Sequence, residues 1–278
     1  MNRVVVAPGT RPAEVVRAAH RAGFLYLEMS ASRLKKALEE DRHLGGLMGS
    51  GGIVPVHGGW SLRLGWERER FASALDAVER EMEFVARLGS RGGTLVLPRQ
   101  AALDQPPIPC LGELGERVGT VARLAARYGL DLVLEFIGTG PDTDDGYLTL
   151  DDARGLIADQ GPNVGVLLDT CHWHASGGVV ADLASLADRP LFVHLNDAPD
   201  AERATLTDTM RLLPGHGVID LTGCLGALAQ GGYRGPVSIE LKNPALHALA
   251  PADAARAAYA AGAALLRSIE ADVAEEAR

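Results

Sequence analysis

The chain has 278 residues, 47% of them hydrophobic, enough to bury a sizeable core in one large domain or two modest ones. Lys and Arg number 27 against 36 Asp and Glu; the net charge of −9, with no basic stripe to offset it, would repel a nucleic-acid backbone. No apolar run reaches the roughly 18 residues of a membrane span and the opening MNRVVVAPGT lacks a secretory layout, so a cytoplasmic protein that meets neither membrane nor nucleic acid is expected.

From the N-terminus, short runs rich in Val, Ile and Leu predict strands at VVVAP 4–8, FLYLEMS 24–30, GIVPVHG 52–58 and TLVLP 94–98. Four more follow at LDLVLEF 130–136, VGVLLDT 164–170, LFVHLND 191–197 and VSIEL 237–241. Segments of helical period separate them. That at 12–23 carries Pro12 in its opening turn and Gly23 at its stop. The longest spans 68–89, and others lie at 114–129, 148–161 and 254–270. Eight strands alternating with helices predict an α/β fold, a (β/α)8 TIM barrel, as a single domain over 1–270, with a frayed polar tail at 271–278. A dinucleotide-binding sheet fits less well, because APGTRPAE after the first strand is not G-x-G-x-x-G. Cys110, Cys171 and Cys224 match no zinc-ribbon spacing and read as reduced packing residues.

In a parallel barrel the C-terminal strand ends converge on one cavity. Here those ends carry Glu135, Asp169, His194 and Glu240, each between apolar neighbours: LVLEF, VLLDT, FVHLN and SIELK. One such carboxylate could be excused by an arginine or by protonation. Three with an imidazole repel one another unless a divalent cation joins them. The donor set suits Mn2+, Mg2+, Co2+ or Zn2+, and the residues do not choose among these ions. Asp197, beside His194, reads more simply as a solvated or helix-capping group, and His174 as a hydrogen-bonded core or rim histidine. Trp60, Trp66 and Trp173 either stack on a sugar or pack.

At these residues the chain resembles the xylose-isomerase-like superfamily of TIM-barrel sugar isomerases and epimerases, in particular its inosose (2-keto-myo-inositol) isomerase branch. LEFIG 134–138, LLDTCHWHASG 167–177, FVHLNDA 192–198, LTDTMRLLPGHGVIDL 206–221 and VSIELKNP 237–244 carry the resemblance. The first half matches only in its rhythm and in Glu28 ending the second strand, and it departs notably at VPVHGGWSLRLGW 54–66. The resemblance implies one divalent metal ion, Mn2+ favoured, held by Glu135, Asp169, His194 and Glu240. The two glutamates would also move a proton next to a ketone through a metal-stabilised enediolate. It further implies a polyol ketone or ketose as substrate, with His172 and Arg211 at its oxygens; His57 and Trp173 complete the expected substrate-binding set. Related barrels often pair, so a homo-oligomer is compatible with the sequence without being required by it. A dehydratase on the same site is the near alternative. An endonuclease-IV-like nuclease would need further histidines, which LVLPRQ at the fourth strand does not supply. A non-catalytic barrel that keeps the ligands for structure is the remaining alternative.

Overall fold

Runs of β-branched and aliphatic residues form parallel strands here because helices cover their outer faces, as a sheet buried on both sides requires. A computed structural model describes residues 1–48, 53–98, 111–139 and 149–276. Its strands are β1 (Tyr26–Met29), β2 (Val54–His57), β3 (Gly92–Val96), β4 (Asp131–Glu135), β5 (Val164–Asp169), β6 (Leu191–Leu195) and β7 (Val237–Ile239). The helices are α1 (Pro12–Ala22), α2 (Ala31–Glu40), α3 (Leu44–Leu47), α4 (Arg68–Arg87), α5 (Leu111–Arg127), α6 (Leu150–Ala158), α7 (Thr170–Ala175), α8 (Leu221–Gln230), α9 (Pro244–His247) and α10 (Pro251–Glu276). Pro12 opens α1 and Gly23, in the left-handed conformation, ends it as expected. The last helix runs past residue 271, where a polar tail was expected to begin, as far as Glu276. Cys110 lies outside the described residues.

β1 pairs with β2, and β3 to β7 pair in sequence order, every pairing parallel. A bridge between Gly59 and Thr94 joins the two sheets. The ring closes on the other side through residues 1 and 2. Asn2 N–H donates to Ile239 O at 3.0 Å, and Glu28 N–H donates to Met1 O at 2.9 Å.

This closure corrects the strand expected at 4–8. Arg3–Val5 instead forms a 3-10 turn, with Val4 N–H donating to the Asn2 side chain at 3.1 Å. A side chain that captures a backbone N–H two residues on offers the chain an alternative to the ladder. Strand pairing therefore stops at Asn2, and Arg3 turns away from the barrel wall.

Alternation along the strands divides the wall into two faces. Leu132, Leu134, Val166, Leu168, Val193 and Leu195 face outward into the main core beneath the helices. Tyr26, Val133, Leu167 and Phe192 form a separate apolar cluster inside the barrel. Two residues further along the same strands come Glu28, Glu135, Asp169 and His194, so a polar layer sits directly on that apolar plug.

Asp197, expected to be solvated or capping, is buried and staples the loop after β6. Its carboxylate accepts hydrogen bonds from the backbone N–H groups of Ala198, Gly215, Gly217 and Ile219 at 2.9 to 3.1 Å. We expect Asp197→Ala to lower the free energy of unfolding by about 3 kcal/mol in a denaturant titration, since it strands charge-assisted donors in a buried loop.

Candidate metal centre

Strand register brings the four predicted ligands together. Asp169 lies opposite His194, and Glu135 lies opposite Leu167, two residues before Asp169. His194 in turn lies opposite Ser238, two residues before Glu240. Partners in register share a face and side chains alternate, so all four enter the barrel interior from four neighbouring strands. One donor atom from each lies within 4.8 Å of the others.

His194 is the hinge of the arrangement. Its Nε2 lies 2.9 Å from both carboxylate oxygens of Glu28. Its Nδ1 faces Glu240 Oε2 at 3.1 Å, Glu135 Oε1 at 3.7 Å and Asp169 Oδ2 at 3.8 Å, and this buried nitrogen makes no hydrogen bond. An imidazole anchored through one nitrogen by a carboxylate, with the other left bare among three more carboxylates, is the geometry of a metal ligand with its supporting partner. Glu28 is the residue that sequence pattern left without a role; its signal was a strand-end position equivalent to those of the ligands.

Arg211 brings a permanent positive charge to the cluster. It is 1% exposed, and its Nη1 donates to Asp169 Oδ2 at 2.9 Å and to Glu240 Oε2 at 2.7 Å. One guanidinium does not balance three carboxylates; a dication beside it does. Asp169 is oriented further by Cys171 and His172 N–H, each donating at 3.0 Å as the carboxylate caps α7, and by Asn196 Nδ2 at 2.8 Å. Asn2 Nδ2 donates to Glu240 Oε1 at 3.0 Å, so the truncated first strand also contributes to the site.

Burial, His194 and the neighbouring carboxylates pull the two glutamates apart. Burial, reinforced by the neighbouring Glu240 and Asp169 carboxylates, pushes Glu135 up to about 8 against the pull of His194 and Arg211. For Glu240 burial acts in the same direction, but His194 and Arg211 outweigh it and hold the carboxyl well below its usual value. Burial alone would push His194 down, yet Glu28 and Glu240 raise it well above an ordinary histidine.

The expected substrate residues separate. His172 is 2% exposed, its Nε2 3.0 Å from Arg211 Nη2 and its Nδ1 3.0 Å from Thr139 Oγ1. A guanidinium only donates, so Nε2 accepts and Nδ1 carries the proton; burial pushes the ring's pKa down, in keeping with a neutral imidazole. Thr139 Oγ1 passes on to Asp208 Oδ1 at 3.3 Å, and Arg211 Nη2 reaches the same oxygen at 3.0 Å. Thus His172 and Arg211 lie in a protein-internal network behind the ligands. Gly138 permits it: a Cβ there would stand 2.1 Å from His172 O. Trp173 is buried in the core, with Gly178 against its indole. His57 ends β2 opposite Met29, and its side chain lies outside the described residues. His174 is half-buried on α7, and His216 is exposed.

Above the cluster opens a cavity of about 260 Å³, which Glu28, Glu135, His194 and Glu240 line. The xylose isomerase-like TIM barrel family model matches residues 16–269. The chain belongs to this family. Over 140 residues it is 35% identical to an inosose isomerase of Halalkalibacterium halodurans, covering 50% of this chain and 49% of that protein. The chain therefore spans about half the length of the curated relatives of this kind that it matches. Over 189 residues it is 31% identical to a 3-dehydroshikimate dehydratase of Pseudomonas aeruginosa, covering 66% of this chain and 28% of that one. The crystal structure of IolI protein with a bound zinc atom superposes with a TM-score of 0.83 at 22% identity, covering 97% of this chain and 98% of that one. No helix among the described residues is long and apolar enough to cross a membrane.

Two outcomes are expected. Glu28→Gln keeps the shape of the anchor but removes its charge, and should weaken divalent-metal affinity by about tenfold or more in a chelator competition. Protons compete with the ion for Glu135, held at about 8, and for the raised His194. Metal affinity should consequently rise with pH up to about 8 and fall below it, with proton release detectable by calorimetry in buffers of different ionisation enthalpy.

Proposed function

We propose that this barrel is a divalent-metal-dependent isomerase or epimerase of a keto-polyol or ketose of the inosose kind. One observation carries the reading: three carboxylates gathered on a buried imidazole nitrogen that makes no hydrogen bond, at the base of an open cavity. Glu135, Asp169, His194 and Glu240 would hold the ion. Mn2+ is the ion we favour, with Zn2+ the main alternative because the IolI protein structure contains it. When bound, the ion supplies Lewis-acid stabilisation of negative charge on the oxygens of an α-hydroxy ketone, a contribution of several kcal/mol.

The side chains then divide the proton transfer. Glu135 and Glu240 both line the cavity, so a substrate carbon between them can lose its proton to one carboxylate and regain one from the other. Glu240 is held in its charged form by His194 and Arg211, whereas Glu135 is the more readily protonated of the two. His172 and Arg211 hold Asp169 and Glu240 in place from behind, and water is excluded on that side by their burial.

A second reading has a specific observation in its favour, the 31% identity to a 3-dehydroshikimate dehydratase. The same enediolate can expel a β-hydroxyl instead of taking up a proton. Incubation with inososes and ketohexoses in deuterated water separates the two, because isomerisation incorporates solvent deuterium without loss of water whereas dehydration lowers the mass by one water. We expect incorporation, and at saturating metal a fall in kcat of about 10² to 10⁴ for both Glu135→Gln and Glu240→Gln. Near-full turnover by either variant would remove that residue from the mechanism.

A further inference from the structure

The cavity that Glu135, His194 and Glu240 line is also lined by Arg3 and Arg33. Arg3 follows the truncated first strand, and Arg33 stands in the first turn of α2, so two separate elements bring guanidinium groups to one opening. Both are half-buried. Among the described residues neither side chain makes a hydrogen bond or an ion pair, whereas Arg17, Arg117 and Arg211 each have a carboxylate partner. Burial and the nearby Arg33 both push the pKa of Arg3 down, so each of them disfavours the Arg3 charge as the cavity stands.

The acidic cluster below does not account for the pair. A dication together with Arg211 balances the three ligating carboxylates, and the fourth carboxylate, Glu28, is hydrogen-bonded to His194 at 2.9 Å and forms no ion pair with either arginine. Two partly desolvated guanidinium groups therefore remain, with their fixed forks of donors directed to no anion of the protein. Planar oxyanions match such forks with paired, charge-assisted hydrogen bonds.

We propose that the substrate is an anionic keto-polyol, its carboxylate or phosphate gripped by Arg3 and Arg33 while its ketone end lies between Glu135 and Glu240. This rests on the keto-polyol reading above and narrows its substrate class from neutral sugars to sugar or cyclitol acids. The acid group anchors one end of the molecule and so fixes which carbon meets the glutamates, a use of binding energy remote from the reacting atoms.

Binding tests it without requiring turnover. The metal-loaded protein is titrated calorimetrically with quinate, myo-inositol 1-phosphate and neutral myo-inositol, none of which carries a ketone. At least one of the two anions is expected to bind about ten- to a hundredfold more tightly than myo-inositol, and the tighter one names the acid group. In Arg3→Gln and Arg33→Gln that advantage should shrink to less than threefold, with metal content reporting that each variant has folded. Anions that bind no better than myo-inositol, or whose advantage survives both substitutions through direct chelation of the metal, overturn the proposal. Arginine-dependent anion binding in a protein that turns over no keto-polyol would support this inference while sinking the isomerase reading.

Discussion

Everything at the mouth of this barrel depends on one electrostatic constraint: like charges are held together on a low-dielectric plug. Tyr26, Val133, Leu167 and Phe192 fill the interior below, and the next inward position of the same strands is polar. An apolar floor withholds water from Glu135, Asp169 and His194, so their mutual repulsion has to be relieved by groups within the protein or by an ion. Arg211 is the relief that the chain itself provides on one side of the cluster, while on the other Glu28 holds His194 in place.

The two supports act differently. Glu28 orients an imidazole and sharpens its basicity, leaving Nδ1 directed at the carboxylates. Arg211 joins Asp169 to Glu240 and belongs to a longer chain running through His172, Thr139 and Asp208. Asp208 shows how strongly that chain is charged: burial would raise its pKa, yet Arg211 and Lys242 hold it at about 2. Residues that resemble substrate contacts by position thus serve as a rigid back wall, which is what a site needs if its ligands are to hold their geometry while the cavity side stays open.

How the barrel closes also sets what lines its mouth. Because Asn2 captures the N–H of Val4, the first strand is reduced to a bridge, the Asn2 side chain reaches Glu240, and the chain turns so that Arg3 lines the cavity. A full-length first strand over 4–8 would have carried the backbone along the wall instead. The same local turn thus brings Asn2 to Glu240 and Arg3 to the cavity.

The alternation of short aliphatic runs with helical segments determined the barrel, and four polar residues at equivalent strand ends pointed to the candidate ligand set; both are periodic signals, written in the order of the chain. Tertiary structure decided what periodicity does not encode. It made a 3-10 turn of Arg3–Val5 where VVVAP promised a strand, gave Glu28 its partner 166 residues away, and turned Asp197 into a loop staple. It also withdrew His172 and Arg211 from the cavity and brought Arg3 and Arg33 to it. The physical reason is the same in each case: hydrogen bonds and Coulomb forces act over a few ångströms of space, and separation along the sequence does not report that distance.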